Sequence, residues 1–244
     1  MTKKEHGWYP ATLISSTMVA ADVKSLTFKP SQWKLPKPGQ HYEIRLTAPD
    51  GYQAARPYSL ASAPEQTNEL EFGIQLLPNG EVSPYLFQLK EGEQVELKGP
   101  LGGHFIWEHT MPGPLLLIGG GSGLVPLISM LRHSLKHNYQ DPIYFLISTK
   151  TEDKILYWPE LQQLARKNKN LKIIPTLTGQ IPQNWKGETG RIDNTFLSKH
   201  LSNLKDKMPL IYICGPTPFV ESIASSLQQF GFNPHEIRTE RFGG

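Results

Sequence analysis

The sequence predicts an antiparallel β-structure, either a barrel or a sandwich, followed by a parallel α/β sheet. Three observations carry this. Up to residue 110 the chain is a series of short alternating runs broken by Pro, Gly and Asn, the rhythm of antiparallel strands. The break "TMPGP" (110–114) then changes the pattern. Beyond it, fully apolar runs alternate with helical ones, as expected for strands buried on both faces and joined by crossover helices.

In the first half, strands are expected at "YPATLISS" (9–16), "VKSLTFKP" (23–30), "HYEIRLTAP" (41–49), "ELEFGIQLL" (69–77) and "EQVELKGP" (93–100). Another strand reads "ARPYSLAS" (55–62), where Arg56, Tyr58 and Ser59 are more polar than packing requires. One helix interrupts the series: Ser83 suits an N-cap, Pro84 the first helical turn, and "YLFQLK" follows. In the second half the strand candidates are "LLLIG" (115–119), "IYFLIS" (143–148), "LKIIPTL" (171–177) and "PLIYICG" (209–215), with "EIRTERF" (236–242) as a fifth. "LVPLISMLRHSLKH", "LYWPELQQLARK", "NTFLSKHL" and "PFVESIASSLQQF" are the intervening helices. The expected division is therefore residues 1–110 and 111–244. In such parallel sheets ligands bind beyond the carboxyl ends of the strands, near a topological switch point. That rule makes the residues just after each strand a shortlist.

A length of 244 residues suffices for two such domains. The net charge of +3 is a mild excess, and the most basic run, "ARKNKNLK" (165–172), has no interleaved aromatics. It reads as a solvated helix end, and nucleic acid is not expected as a partner. The single cysteine, Cys214, excludes an intrachain disulfide and a cysteine-ligated iron–sulfur cluster. No apolar run is long enough to form a transmembrane segment, and "MTKKEHGWYP" lacks the apolar core of a signal peptide, so a cytoplasmic protein is expected.

The first strand of the second half runs into "GGGSGLVP" (119–126). Glycine allows close backbone approach to a pyrophosphate, and a following helix offers free N–H groups and the positive end of its dipole. Leu124 stands where the third glycine of G-x-G-x-x-G would be, so a plain tight turn is the competing reading. The next strand ends in Ser148-Thr149-Lys150, two hydroxyls and a cation where an NAD site usually has an acid. This tilts the reading slightly toward NADPH; Glu152 and Asp153 oppose it, and a solvated Lys150 is the alternative.

"RPYS" (56–59), "GGGSGLVP" (119–126) and "CGPTPF" (214–219), in this order, resemble the ferredoxin–NADP reductase superfamily of flavoprotein reductases. The resemblance extends from "PGQHYEIRL" (38–46) to the terminal "ERFGG". It implies an N-terminal Greek-key β-barrel carrying FAD and a C-terminal Rossmann-like α/β domain binding NAD(P)H. By the same resemblance, in the segment Arg56-Pro57-Tyr58-Ser59, Arg56 pairs with the flavin pyrophosphate, Tyr58 stacks on the isoalloxazine ring and Ser59 hydrogen-bonds near flavin N5. Gly80, Val82 and Ser83 of "GEVS" resemble a motif that receives the pyrophosphate, which favours FAD over FMN, although Leu76 stands where many relatives have a basic residue. Gly121, Ser122 and Gly123 are expected near the nicotinamide ribose, and Lys150 and Arg191 near the adenosine phosphate, a plain surface role being the equal alternative for Arg191. Cys214, Gly215 and Pro216 are expected beside nicotinamide C4, a small core residue being the competing reading of a lone cysteine that ends an apolar strand, with Phe219 in place of a common methionine. Glu240 is expected to touch the nicotinamide or relay a proton, and Phe242 to shield the flavin.

The implied function is an FAD-dependent NAD(P)H oxidoreductase that passes electrons to a separate acceptor, since the cysteines of a fused ferredoxin-like domain are lacking. The expected acceptor is a redox protein such as ferredoxin, whose acidity suits a slightly positive chain; a flavodoxin, a haem or molybdenum protein, or a small molecule are further options. Two other readings stand beside it: a free flavin or quinone reductase, and a flavin-binding electron-transfer subunit of a larger complex.

Overall fold

In the computed structural model the described residues are 7–65 and 68–242. Most of the N-terminal stretch read for a signal peptide and the last two glycines of "TERFGG" lie outside them. The first half contributes β1 (Tyr9–Ala20), β2 (Val23–Pro30), β3 (His41–Thr47), β4 (Gln53–Ser59), β5 (Leu70–Gln75), the short helix α1 (Ser83–Gln88) and β6 (Gln94–Leu101). The strands form one sheet in the order β4-β3-β6-β1-β2-β5, every pairing antiparallel. Just past β4, Leu60 bridges Phe72 of β5, and Ala61 N–H donates to the Glu71 carbonyl at 2.7 Å. This joins the two outermost strands and closes the sheet into a barrel, choosing between the two architectures that alternation left open. Leu13, Leu26, Phe28, Tyr42, Ile44, Phe72 and Leu97 fill its interior. The rings of Phe28 and Tyr42 lie edge-on or tilted against Phe72, at 6.1 and 5.6 Å.

One local expectation is corrected. Ser83 is not the N-cap of α1; Val82 holds that position without a side-chain cap, and Ser83 lies inside the helix. Its Oγ instead accepts a hydrogen bond from Leu77 N–H at 3.0 Å and ties down the loop before the helix. Pro84 does fall in the first turn, where its missing N–H costs nothing.

The second half contains β7 (Leu115–Gly120), α2 (Leu124–Lys136), β8 (Ile143–Thr149), α3 (Trp158–Lys167), β9 (Leu171–Leu177), β10 (Glu188–Thr189), α4 (Asn194–Leu201), β11 (Leu210–Pro216), α5 (Thr217–Phe230) and β12 (Ile237–Phe242). The order is β10-β9-β8-β7-β11-β12, all parallel. The switch point lies between β7 and β11, as the Gly-rich turn after β7 requires. Along β7, Leu115 and Leu117 face α2 and α3, while Leu116 and Ile118 face α4 and α5. This is why the strand reads as an unbroken apolar run. Asp193 caps α4 by accepting from Phe196 N–H at 2.9 Å, and Gly231, in a left-handed conformation at φ 103°, ends α5. The two-residue β10 has no counterpart in the sequence reading, being too short to show a period. Helix α3 begins two residues later than expected, because Tyr157 turns left-handed at φ 55°.

The halves pack on each other. Val23, Ala61, Phe105 and Trp107 belong to the same apolar cluster as α2 and α3. Arg132 of α2 donates to the Ala61 carbonyl at 3.0 Å and pairs with Glu71 of β5 and Glu160 of α3. Ser129 Oγ donates to the Ser62 carbonyl at 2.7 Å. No helix among the described residues is long and apolar enough to cross a membrane.

Candidate active site between the two halves

Two clefts open at the junction. The first, about 370 Å³, is walled by Arg56, Pro57, Tyr58 and Ser59 of β4, by Gly80, Val82 and Ser83, and by Arg241 and Phe242 of β12. Strand β4 leaves this face open: Arg56 and Pro57 are exposed, Tyr58 is half-buried and Ser59 is buried. Burial pushes the Tyr58 phenol up to about 12, with Arg56 pulling the other way, so it keeps its proton throughout the working range. The ring therefore offers an uncharged apolar face.

Arg56 is not waiting free. Its guanidinium pairs with Glu81 at 2.6 Å, and Glu81 also accepts from the Tyr52 hydroxyl at 2.9 Å. Both partners are about half exposed, at 52% and 49%, so the pair contributes at most about 1 kcal/mol and is readily exchanged for a better anion. Glu81 and Tyr52 were not picked out from the sequence. Tyr52 lies outside "RPYS", and Glu81 occupies a variable position of "GEVS".

The second cleft, about 840 Å³, lies past the carboxyl ends of β7, β8 and β11. Gly121 and Ser122 form its floor, with Pro216 and Phe219 on one side and Ser148, Thr149 and Lys150 on the other. Gly121 is left-handed at φ 56°, which explains a glycine there without any crowding. Gly123 is crowded instead: a Cβ would stand 2.2 Å from the Cys214 carbonyl oxygen. The role of close approach thus passes to Gly123, and Leu124, at the expected third-glycine position, is a fully buried core residue. Lys150, Lys154 and Arg191 bring three cations to the wall, Lys154 reaching Asp22 at 3.3 Å. The buried Thr149 hydroxyl is already committed, donating to the Thr151 carbonyl at 3.0 Å.

Ser122 and Gln75 line both clefts, so the two cavities run into each other. Gln75, from β5, is steadied by a 3.2 Å hydrogen bond to Asp22, and neither residue carried a sequence signal. Four expected residues, Gly123, Cys214, Gly215 and Glu240, do not reach the cleft walls. Cys214 is fully buried, in register between Gly119 of β7 and Glu240 of β12. Burial raises its thiol well above the ordinary value, the Glu240 carboxylate adding to the effect, so it remains a thiol. Burial likewise pushes the Glu240 carboxyl up to about 7, and its Oε2 is buried without a hydrogen-bond partner. Gly215 lines neither cleft, whereas Pro216 beside it does.

An antiparallel barrel and a parallel α/β sheet with a Gly-rich turn at its switch point, and two clefts that meet between them, are the architecture of a two-domain nucleotide-binding protein. Family models match both parts: an oxidoreductase FAD-binding domain over residues 10–106 and an oxidoreductase NAD-binding domain over residues 117–225. A ferredoxin–NAD(P)(+) reductase component of the naphthalene 1,2-dioxygenase/salicylate 5-hydroxylase systems of Ralstonia sp is 30% identical, over 96% of this chain and 70% of that protein. NADH-cytochrome b5 reductase 2 of Scheffersomyces stipitis is 30% identical, over 94% of this chain and 82% of that one. The solved CS-b5R domains of human Ncb5or, in their NAD+ form, superpose with a TM-score of 0.84 at 28% identity, over 97% of this chain and 71% of that one. The chain belongs to the ferredoxin–NADP reductase superfamily and is an FAD-dependent NAD(P)H oxidoreductase.

Proposed function

We propose that this reductase works at the junction of the two clefts and hands its electrons to a separate redox protein of the ferredoxin type. The observation that carries the site is the shared wall: Ser122 and Gln75 belong both to the nucleotide cleft and to the cleft over Tyr58 and Ser59. A dinucleotide lying in the larger cleft reaches the smaller one only across these two side chains.

The residues present fit FAD. The half-buried Tyr58 offers its ring to a flat partner, and Arg56 is held only by an exposed, exchangeable carboxylate. On this reading Arg56 leaves Glu81 for the pyrophosphate, with a bidentate fork suited to it, and Gly80, Val82 and Ser83 close the other side. Tyr58 stacks on the ring system, Pro57 and Ser59 fix its edge, and Phe242 covers it. When bound, FAD supplies the two-electron to one-electron redox chemistry that no side chain here possesses. The chain contributes position. On this reading Gly121, Ser122 and Gly123 lay the nicotinamide end toward Ser59, while Pro216 lines the cleft beside it, Cys214 and Gly215 lie beneath in the end of β11, and Glu240 holds a proton beside Cys214. Lys150 and Arg191 face the adenosine end, which supports the NADPH reading, although Thr149 has no hydroxyl to spare for a phosphate. The domain boundary on this reading falls between residues 110 and 111.

The ferredoxin-type acceptor rests on the Ralstonia relative, whose printed name makes it a reductase component acting on ferredoxin, and on the net charge of +3. The test is an anaerobic absorbance titration of the FAD-loaded protein with NADPH and NADH in parallel, followed by addition of an oxidised ferredoxin. Bleaching of the visible flavin bands by one nucleotide, and their return with ferredoxin, is expected for the wild type. The Arg56→Ala protein should lose FAD at concentrations where the wild type keeps it. Bands that stay with both nucleotides would overturn the reductase assignment. Fast reoxidation by a small quinone but not by ferredoxin would overturn the acceptor.

A further inference from the structure

Away from both clefts, three of the eight histidines of the chain converge at the seam between the halves. His133 lies in the last turn of α2, and His137 is the residue that caps its C-terminal end, four positions further on. His109 comes from the connection between β6 and β7. One ring nitrogen from each lies within 4.8 Å of the others. His109 Nδ1 lies 3.1 Å from His133 Nε2. Zinc–nitrogen bonds of about 2.0–2.1 Å set tetrahedral ligands about 3.4 Å apart, so nitrogens that lie within 4.8 Å of one another must draw together and the rings reorient to share one ion.

Glu65, in the loop between β4 and β5, supplies the second part of the arrangement. Its Oε1 touches His133 Nδ1 and lies 2.8 Å from His137 Nε2. A carboxylate accepting from His133 Nδ1–H fixes the tautomer that leaves an electron pair on Nε2, which in the metal-free arrangement accepts from the His109 backbone N–H at 3.4 Å. It is the outer partner found behind metal-bound imidazoles. The second oxygen, Oε2, is buried with no hydrogen-bond partner at all, an expensive position for a carboxylate unless a cation is near. Trp107 meets His133 edge-on at 5.8 Å, whereas His109 and His137 stack at 3.7 Å with 4° between their planes, so these two rings must tilt apart for both lone pairs to meet at one ion. The His133 side chain is 7% exposed and that of His137 is 32%, so the cluster is buried on one side and open to a water ligand on the other.

We propose that His109, His133 and His137, with Glu65 behind them, form a binding site for one borderline divalent cation of the zinc class. Three neutral imidazoles and one carboxylate suit zinc and its first-row neighbours and exclude magnesium or calcium, which take oxygen donors. The ion would be a clamp rather than a catalyst, because none of the four residues lines either cleft. Its ligands come from the β6–β7 connection and from α2, and α2 begins at the Gly-rich turn of the nucleotide cleft. Metal binding would therefore hold the nucleotide-binding half against the barrel.

The test uses untagged, FAD-loaded protein, freed of metal with a chelator and titrated with zinc chloride in competition with a chromogenic indicator. One equivalent should bind with a dissociation constant on the order of 1 μM or tighter, with a rise in thermal midpoint that grows with free zinc. Cobalt(II) in place of zinc should give the intense visible bands of a four-coordinate site. His109→Ala and His137→Ala should each weaken binding at least tenfold, and Glu65→Gln should weaken it about 10–100-fold while keeping one equivalent. Unchanged flavin absorbance in the variants shows that they are folded. Failure of the wild type to hold zinc against the indicator, or wild-type affinity in the two histidine variants, would overturn the site and leave a hydrogen-bonded imidazole–carboxylate cluster.

Discussion

Replacing Glu240 with glutamine tests the electrostatics of the buried pair it forms with Cys214 behind the clefts. Burial raises this carboxyl from its ordinary 4.5 to about 7. The unfolded chain gives up the proton near 4.5, whereas the native state keeps it until about 7. Between these values the unfolded state binds fewer protons, so stability falls as pH rises. The contribution is complete below about pH 4.5 and is lost as pH climbs through 7, after which the curve is flat. At about 1.4 kcal/mol per pH unit, the loss between pH 5 and pH 8 comes to about 2–3 kcal/mol. Glu240→Gln removes the titration and keeps the shape, so the variant should gain that amount on the wild type across this interval. The assay is urea unfolding of both proteins at several pH values, followed by tryptophan fluorescence, with the difference between them as the readout so that other titrating groups cancel. A gap that stays constant from pH 5 to pH 8 would refute a buried, proton-holding Glu240.

Three further substitutions probe separate parts of the structure. Glu81→Gln removes the carboxylate that occupies Arg56 and should tighten FAD binding several-fold, since the pair it breaks is worth at most about 1 kcal/mol; weaker binding, measured by flavin fluorescence quenching, would contradict this. Gly123→Ala would drive a Cβ to 2.2 Å from the Cys214 carbonyl and force the turn off β11, at about 1–3 kcal/mol. It should impair reduction by NAD(P)H in stopped-flow mixing while FAD stays bound, and an unimpaired rate would show the turn to be remote from the nucleotide. Arg132→Met leaves Glu71 and Glu160 facing each other without their shared cation, and should lower stability by about 3–5 kcal/mol in denaturant unfolding. A loss below 1 kcal/mol would mean that the seam is held by apolar packing alone.

Much of this protein is local in origin and so was legible in the chain. The unbroken apolar run "LLLIG" states that β7 is covered on both faces, and the alternation before residue 110 states that the strands there are not. "RPYS", "GEVS", "GGGSG" and "CGP" are short because each does its work within one turn or one strand end, and their order along the chain pointed to the family. Other features depend on what meets in space. The choice of a barrel over a sandwich rests on Leu60 reaching Phe72, a contact between strands that no periodicity encodes. Ser83 has the residue type of an N-cap, yet the loop from Leu77 claims its hydroxyl. Thr149 has the hydroxyl for a phosphate, yet the chain two residues on takes it. Arg56 meets Glu81, Gln75 arrives from the barrel to line both clefts, and Cys214 sinks beneath its own strand end. The histidine cluster is the extreme case: residues 65, 109, 133 and 137 share no motif, and only the docking of the two halves brings them together. Sequence thus determined the elements and the family, whose chemistry resides in backbone turns. Tertiary structure decided which polar groups are already spent and which are left to act, because a hydrogen bond or a desolvated charge depends on neighbours that the chain supplies from far away.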